Sequence, residues 1–173
     1  GIMPDHKVEP QYVSSFAVTL YLMGIIDDFG DDYYRRHPDM VVEPSTFSIT
    51  ETDYADFMAL VESRDVAYKS ESRYAVEKLR KALEKERYND NELTSAMAAI
   101  EKGLKDDKMS NLQTYKQEIM QTINSDIVLR YCYSEGRVAN GLSYDKGVKA
   151  AVDMLGKPTE MTRILREQNT TRK

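Results

Sequence analysis

Hydrophobic residues recur at helical spacing along most of the chain, and this pattern determines the predicted elements. Phe16, Leu20 and Met23 begin a predicted helix over residues 13–36. In the second half of the chain a longer helix is predicted from apolar positions three or four residues apart, because such positions share one helix face. These positions are Leu112, Tyr115, Ile119, Ile123, Ile127 and Tyr131. Gly136 is the predicted left-handed stop of this longer helix.

Several shorter helices follow from the same spacing and from capping residues. They are predicted over residues 51–63, 70–87, 144–155 and 158–167, and around the apolar row Leu93, Met97, Ile100 and Leu104. Thr50 and Asp53 form a predicted capping box, in which each side chain bonds the backbone of the other residue. In the helix that begins at Ser70, an inward-facing row is predicted at Val76, Leu79 and Leu83.

The first eleven residues differ from the rest of the chain. Pro4 and Pro10 lack a backbone donor and restrict the residue before them, which predicts extended chain or an edge strand. After residue 12 no segment alternates with the period of two that a half-buried strand requires. The predicted fold is therefore all-α: an irregular multi-helix bundle over residues 12–173, with a short extended N-terminal segment over residues 1–11.

Charge and cysteine content exclude several classes of protein. The 173 residues include 24 Lys and Arg against 29 Asp and Glu, a net charge of -5 that argues against a nucleic-acid partner. No apolar run reaches the roughly 18 residues of a membrane-spanning helix. The single cysteine, Cys132, allows neither an internal disulfide nor a cysteine-based zinc site, and its surroundings predict a buried thiol that acts as a small hydrophobe.

Few residues suggest chemistry, and each of them has a structural interpretation. His6 and His37 are the only histidines, and local structure explains each more simply than acid–base catalysis does. The densest carboxylate cluster spans residues 27–32. Its oxygens could bind a hard cation such as calcium, but a solvated helix face paired with Arg35 and Arg36 needs fewer assumptions.

Sequence motifs of known catalytic sites do not occur in the chain. There is no Gly-rich phosphate loop, no Gly-x-Ser-x-Gly elbow and no His-Glu-x-x-His pair. The 12 tyrosines are interpreted as helix-packing residues whose hydroxyls reach water, which is commoner than ligand stacking. We therefore predict no catalytic, cofactor-binding or metal-binding residue.

Several stretches of the chain resemble one known family. Carboxyl-terminal processing (tail-specific) serine proteases carry a Gly-Gly-Ile-x-Pro-Asp-x-x-Val segment after their catalytic core, and this chain opens with the similar Gly1-Ile2-Met3-Pro4-Asp5-His6-Lys7-Val8. The helix after that segment in Bacteroidetes-type members resembles Phe29, Tyr33 and His37-Pro38. Their helical tail is similar to three further stretches, Asp53-Tyr54-x-x-Phe57, Ser125 to Tyr131, and Glu135-Gly136-Arg137.

This resemblance implies that the chain is the C-terminal helical domain of an exported protease. Residues 1–11 would be an extended remnant of the protease core, and residues 12–173 the helical domain. Such proteases use a serine nucleophile with a lysine base, both upstream of the segment that resembles Gly1–Val8, and they often carry a PDZ domain. No catalytic residue therefore carries over, and this fragment is expected not to be an enzyme. The resemblance further implies a periplasmic or cell-envelope location.

The implied partner is the protease core of the same parent chain, with a polypeptide substrate or a second copy as further options. The implied function is structural or regulatory: residues 13–36 and 111–134 would pack on the core, aid assembly or shape substrate access. A stand-alone helical module that binds a protein or peptide is the alternative, because tyrosine and methionine suit adaptable apolar surfaces. A helical metal or small-molecule enzyme rests on the carboxylates of residues 27–32 alone.

Overall fold

The part of the chain that the structure describes is built from α-helices. The computed structural model describes residues 6–10, 12–88, 90–104 and 108–170. Within these ranges there is no strand, and residues 6–10 have no regular structure. The helices are α1 (Ser15–Leu22), α2 (Ile25–Arg36), α3 (Glu51–Ser63), α4 (Glu71–Lys85), α5 (Asn91–Gly103), α6 (Lys108–Thr114), α7 (Lys116–Tyr144), α8 (Lys146–Leu155) and α9 (Pro158–Thr170).

The predicted all-α multi-helix fold is thus confirmed. The part of the predicted extended segment that comprises residues 1–5 and 11 lies outside the described residues. The division of the chain into residues 1–11 and 12–173 stays a prediction. In the described ranges no helix is both long enough and apolar enough to cross a lipid bilayer.

The predicted first helix is divided in two at Gly24. This residue takes a left-handed conformation with φ of 72°, which is far easier for glycine than for a residue with a Cβ. The N–H groups of Met23 and Gly24 close the last turn of α1 on the carbonyls of Thr19 and Tyr21. The prediction of one helix over residues 13–36 is therefore wrong at this point. The apolar spacing continues across Gly24, but the left-handed conformation of this glycine interrupts the helix.

The hydrophobic core lies mainly where α2 packs on α7, the most extensive contact between two of the described helices. Side chains from α1, α3 and α6 complete it, and the largest of those that are fully buried are Phe16, Leu20, Ile26, Tyr54, Phe57, Leu112, Ile119, Ile123 and Ile127. The predicted stripe is thus confirmed at its centre, while Tyr115 and Tyr131 pack partly buried against its edge. Tyr54 donates a hydrogen bond of 2.7 Å from its hydroxyl to the Leu112 carbonyl.

The long helical segment is less regular than its stripe predicts. A break at Tyr115, with φ of -103°, separates α6 from α7. Gly136 does not end α7 as predicted, because it lies buried inside the helix. A Cβ on Gly136 would overlap the Cβ of Cys132 and approach Pro44 Cγ to 3.4 Å. This glycine therefore allows close packing and is not a helix stop.

The kink in α7 lies instead at Tyr133, whose φ of 55° and ψ of -162° are a conformation that glycine adopts far more readily than tyrosine. Its side chain is 77% exposed. We expect Tyr133→Gly to raise the free energy of unfolding by roughly 1 kcal/mol, because it relieves backbone strain without removing buried surface. Urea denaturation followed by circular dichroism measures the change.

A matched control is Val138→Gly, which lies in the same helix at an exposed position without strained dihedral angles. There a new glycine should lower stability by about 1 kcal/mol, as in an ordinary helix interior. Destabilisation by both substitutions would contradict the assignment of strain to Tyr133.

Two helix pairs bury little of their own surface. The main contacts of α4 are with α5, and those of α9 are with α8. Neither α4 nor α8 contains a fully buried residue, and α5 contains only Met97. The predicted inward row of α4 is wrong at Leu79, which is 47% exposed. Helical spacing identified an apolar face correctly, but a single neighbouring helix covers only part of such a face.

Candidate functional site

The carboxylates considered as a cation site are mostly engaged in ion pairs. Asp32 accepts a hydrogen bond of 2.9 Å from Arg36, at the predicted spacing of four residues. Arg35 lies 3.7 Å from the same carboxylate, at a spacing of three, and not beside Asp31. Asp28 pairs instead with Arg64 at the end of α3, at 2.8 Å. In the described ranges no group of three or more histidine, cysteine, aspartate or glutamate residues is arranged to hold a metal ion. The observed geometry therefore favours the solvated and paired helix face.

A second set of carboxylates surrounds Arg130, and we call this set the arginine latch. Arg130 of α7 donates to Asp31 through Nε at 2.9 Å and to Asp27 through Nη2 at 2.7 Å, and both carboxylates belong to α2. Its Nη1 donates to Asp126, one turn earlier in α7. The guanidinium side chain is only 13% exposed. The latch therefore ties α2 to α7.

The latch requires a glycine at position 30, and it places three carboxylates around a single cation. A Cβ on Gly30 would overlap the Asp126 carboxylate and lie 2.7 Å from Arg130 Nη1. Burial raises the pKa of Asp126, and the Arg130 charge only partly opposes this shift. Burial also lowers the pKa of Arg130, but hydrogen bonds and charges from the three aspartates outweigh it, so the net shift is upward. The Arg130 guanidinium is therefore stabilised in its charged form. Ionisation of the Asp126 carboxyl, the most buried of the three, costs free energy because of its burial.

Two buried asparagines hold the loop between α2 and α3 against α7. Asn124 accepts a hydrogen bond of 2.8 Å from the Ile49 N–H. Asn140 is fully buried and donates to the Pro44 carbonyl at 2.7 Å and to the Phe47 carbonyl at 3.3 Å. Neither residue was singled out from the sequence, because a polar residue in a helix carries no sign of the loop that it will meet.

The remaining candidate residues have structural positions. His37 follows α2, and its Nδ1 lies 3.0 Å from the Tyr33 carbonyl. Tyr131 donates to the His37 carbonyl at 2.7 Å. Cys132 is only half-buried, with Sγ 3.6 Å from the Val42 carbonyl, so the prediction of a buried thiol is wrong in degree.

The most distinctive surface of the described chain is one side of α1, which we call the α1 face. The inner side of α1 is buried through Phe16, Ala17 and Leu20. The outer side includes Ser15 and Thr19 but is otherwise apolar and open to solvent. The α1 face consists of Tyr12, Val13, Val18, Tyr21, Leu22 and Met23. Leu22 is 77% exposed and Tyr12 is 80% exposed. A helix with apolar residues all round is normally covered on every side.

The α1 face is held rigidly against the rest of the domain. The N–H of Ser14, which caps α1, donates to both carboxylate oxygens of Glu118 in α7, at 3.1 and 3.2 Å. Beside this contact a cleft opens between the two helices, with Val13 and Tyr21 on one wall and Arg137 and Gly141 on the other. An apolar surface on a fixed helix, next to a polar cleft, is suited to binding another protein surface.

The family of the chain follows from its similarity to known sequences. No curated protein and no solved structure matches the chain. The sequence model of one protein family, described as "Probable PDZ-protease, C-terminal helical domain", matches residues 16–155. This range extends from the start of α1 to the end of α8 and covers most of the chain. The chain therefore belongs to the family of C-terminal helical domains of probable PDZ-proteases.

Proposed function

We propose that this helical domain is a non-catalytic part of an exported serine protease and that it packs on the protease core through the α1 face. The α1 face is the observation that carries the proposal. From Tyr12 to Ile26 the sequence contains no charged residue, although about half of α1 is open to solvent in the described chain. Monomeric proteins rarely leave a contiguous apolar patch of this kind uncovered unless it is a binding site.

The composition of the α1 face favours a protein surface as its partner. Tyrosine and methionine are enriched in protein–protein interfaces, while lysine and glutamate are depleted there. Tyr12, Tyr21 and Met23 lie on this face without any charged neighbour in sequence. Residues 6–10 lead directly into it as irregular chain. A protease core joined to the domain through this segment would therefore lie next to the α1 face.

A non-catalytic role is supported by what the polar residues already do. The carboxylates of α2 are bound to Arg36, Arg64 and Arg130. His37 contacts the end of its own helix. In the parent protease we place a Ser and Lys pair upstream of this chain, and we place the parent in the periplasm or cell envelope, following the resemblance of residues 1–8 to tail-specific proteases.

The proposal is tested with the complete product of the native gene, comparing Tyr21→Ser/Leu22→Ser with the wild type. Loss of the apolar side chains should loosen the domain from the core, and we expect faster release of the helical domain in limited proteolysis. A tyrosine that is a hot spot of an interface costs about 2 kcal/mol or more when truncated, so release should be about tenfold faster or more. Cleavage of an unfolded polypeptide is measured in parallel.

Val41→Ser is the matched control, because Val41 is 97% exposed in the loop before α3, outside the α1 face. It should change neither release nor turnover. Equal release of all three proteins would refute packing through the α1 face. Hydrolysis of casein by the 173-residue chain itself, abolished by substituting one of its residues, would refute the non-catalytic role.

A further inference from the structure

The helix pair α8–α9 carries a net positive charge, opposite in sign to the total charge of the chain. Residues 146–170 contain five cations, Lys146, Lys149, Lys157, Arg163 and Arg166, against three carboxylates, Asp153, Glu160 and Glu167, for a net charge of +2. Residues 27–65 contain eleven carboxylates against three arginines, for a net charge of -8. Helices α8–α9 are therefore net positive in a chain whose total is -5, as is α4, which contains five cations and three carboxylates.

The same helix pair exposes aliphatic side chains next to these cations. Val148, Val152 and Leu155 are spaced four and three residues apart, so they share one face of α8. Val152 is 62% exposed and Leu155 is 69% exposed, while Leu165 of α9 is 56% exposed. Lys149 and Lys157, on either side of this row, are also exposed. Helix α9 thus leaves much of the apolar face of α8 open.

We propose that α8–α9 binds the surface of an anionic phospholipid membrane. In this arrangement the cations meet lipid phosphates, and Val152, Leu155 and Leu165 enter the boundary between headgroups and acyl chains. Amphipathic helices with basic polar faces bind membranes in this way, through apolar burial combined with attraction to anionic lipid. The proposal concerns a surface other than the α1 face and does not depend on the function proposed above.

The aromatic and lysine content favours a lipid surface over a protein surface as the partner, although Met154, Met161, Arg163 and Arg166 are of types that protein interfaces also use. Residues 146–170 contain no aromatic residue, whereas protein interfaces are enriched in tyrosine, tryptophan and phenylalanine. Three lysines lie in this stretch, and lysine is depleted in protein interfaces. The α1 face has the opposite composition, with two exposed tyrosines and no charge. The chain therefore presents two surfaces of different chemistry to two classes of partner.

The test is sedimentation of the whole 173-residue chain with lipid vesicles. Vesicles of phosphatidylcholine containing phosphatidylglycerol should bind the chain, and vesicles of phosphatidylcholine alone should not. Lys149→Gln/Lys157→Gln should weaken binding about tenfold or more, because each cation near an anionic surface contributes substantially to affinity. Leu155→Ser should weaken binding severalfold even when salt screens the charges. Circular dichroism verifies that each variant is folded.

The matched control is Lys78→Gln/Lys85→Gln, which removes two exposed lysines of α4 and leaves α8–α9 unchanged. Its affinity for anionic vesicles should equal that of the wild type. Equal binding to both kinds of vesicle, no binding to either, or an equal loss in the control would overturn the proposal. Binding that Leu155→Ser leaves unchanged at all salt concentrations would overturn it as well.

Discussion

Replacing Arg130 with methionine is expected to lower the free energy of unfolding by about 3–5 kcal/mol. Methionine keeps much of the aliphatic volume but removes the guanidinium that Asp27, Asp31 and Asp126 share. Three carboxylates would then lie close together without a counter-charge, and the Asp126 side chain is only 11% exposed. Removing one partner from a buried ion pair is costly because the remaining charge has lost its solvent and its partner.

Urea denaturation at neutral pH measures this loss, with Arg35→Met as the control. Arg35 lies in α2 and pairs with Asp32 at 3.7 Å, but its side chain is 72% exposed. Exposed pairs of this kind contribute between 0 and about 1 kcal/mol. A loss below 1 kcal/mol for Arg130→Met would show that the latch does not hold α2 on α7.

The pH dependence of the same variant gives an independent check with a definite sign. Burial raises the pKa of Asp126 in the folded chain, so the stability that goes with its protonated form is present at low pH and lost as pH rises through that pKa. Without Arg130 the pKa of Asp126 should rise further. The difference in stability between wild type and Arg130→Met should therefore narrow as pH falls through the raised pKa of Asp126. A difference that stays constant with pH would contradict charge as the cause.

The second large effect is expected at Phe16, on the inner side of α1. Phe16 is fully buried, and its ring meets that of Tyr68 edge to face, with centroids 4.9 Å apart. Phe16→Ala should lower the free energy of unfolding by about 3–5 kcal/mol, because a large cavity would remain in the core. Thermal denaturation followed by circular dichroism measures the effect.

The matched control is Val18→Ala, because Val18 lies two residues after Phe16, on the outer side of α1. Val18 is 43% exposed, and its truncation should change the stability of the 173-residue chain by no more than about 0.5 kcal/mol. The two sides of α1 would then be separated experimentally: one stabilises the domain, and the other is free for a partner. A large loss at Val18 would mean that the outer side serves the fold of the domain itself.

Local signals in the sequence predicted the parts of the fold that depend on neighbouring residues. The capping box of α3 forms as predicted, with Thr50 accepting from the Asp53 N–H and Asp53 accepting from the Thr50 N–H. Ser70 likewise caps α4. Such bonds join residues three apart, so their partners are visible in the sequence. The apolar stripe of α7 was predictable for the same reason, since helical periodicity is also local.

Several features that could not be predicted depend on distant contacts. Arg130 and its partners in α2 are separated by 99 and 103 residues. The resemblance included the stretch from Ser125 to Tyr131, but it gave no role to Asp126 or Arg130, and the structure assigns both to the latch. The α1 face could not be predicted for another reason. The sequence shows that α1 is apolar on two sides, but only the packed structure shows which side stays exposed.

The clamp between Ser14 and Glu118 determines how mechanical load reaches the domain. Without this contact, the first turn of α1 would fray when residues 6–10 are pulled, and the rest of the domain would not be affected. Here the backbone of Ser14 is fastened to the middle of the domain by both oxygens of one carboxylate, 104 residues away in sequence. Tension on residues 6–10 is therefore transmitted directly to α7.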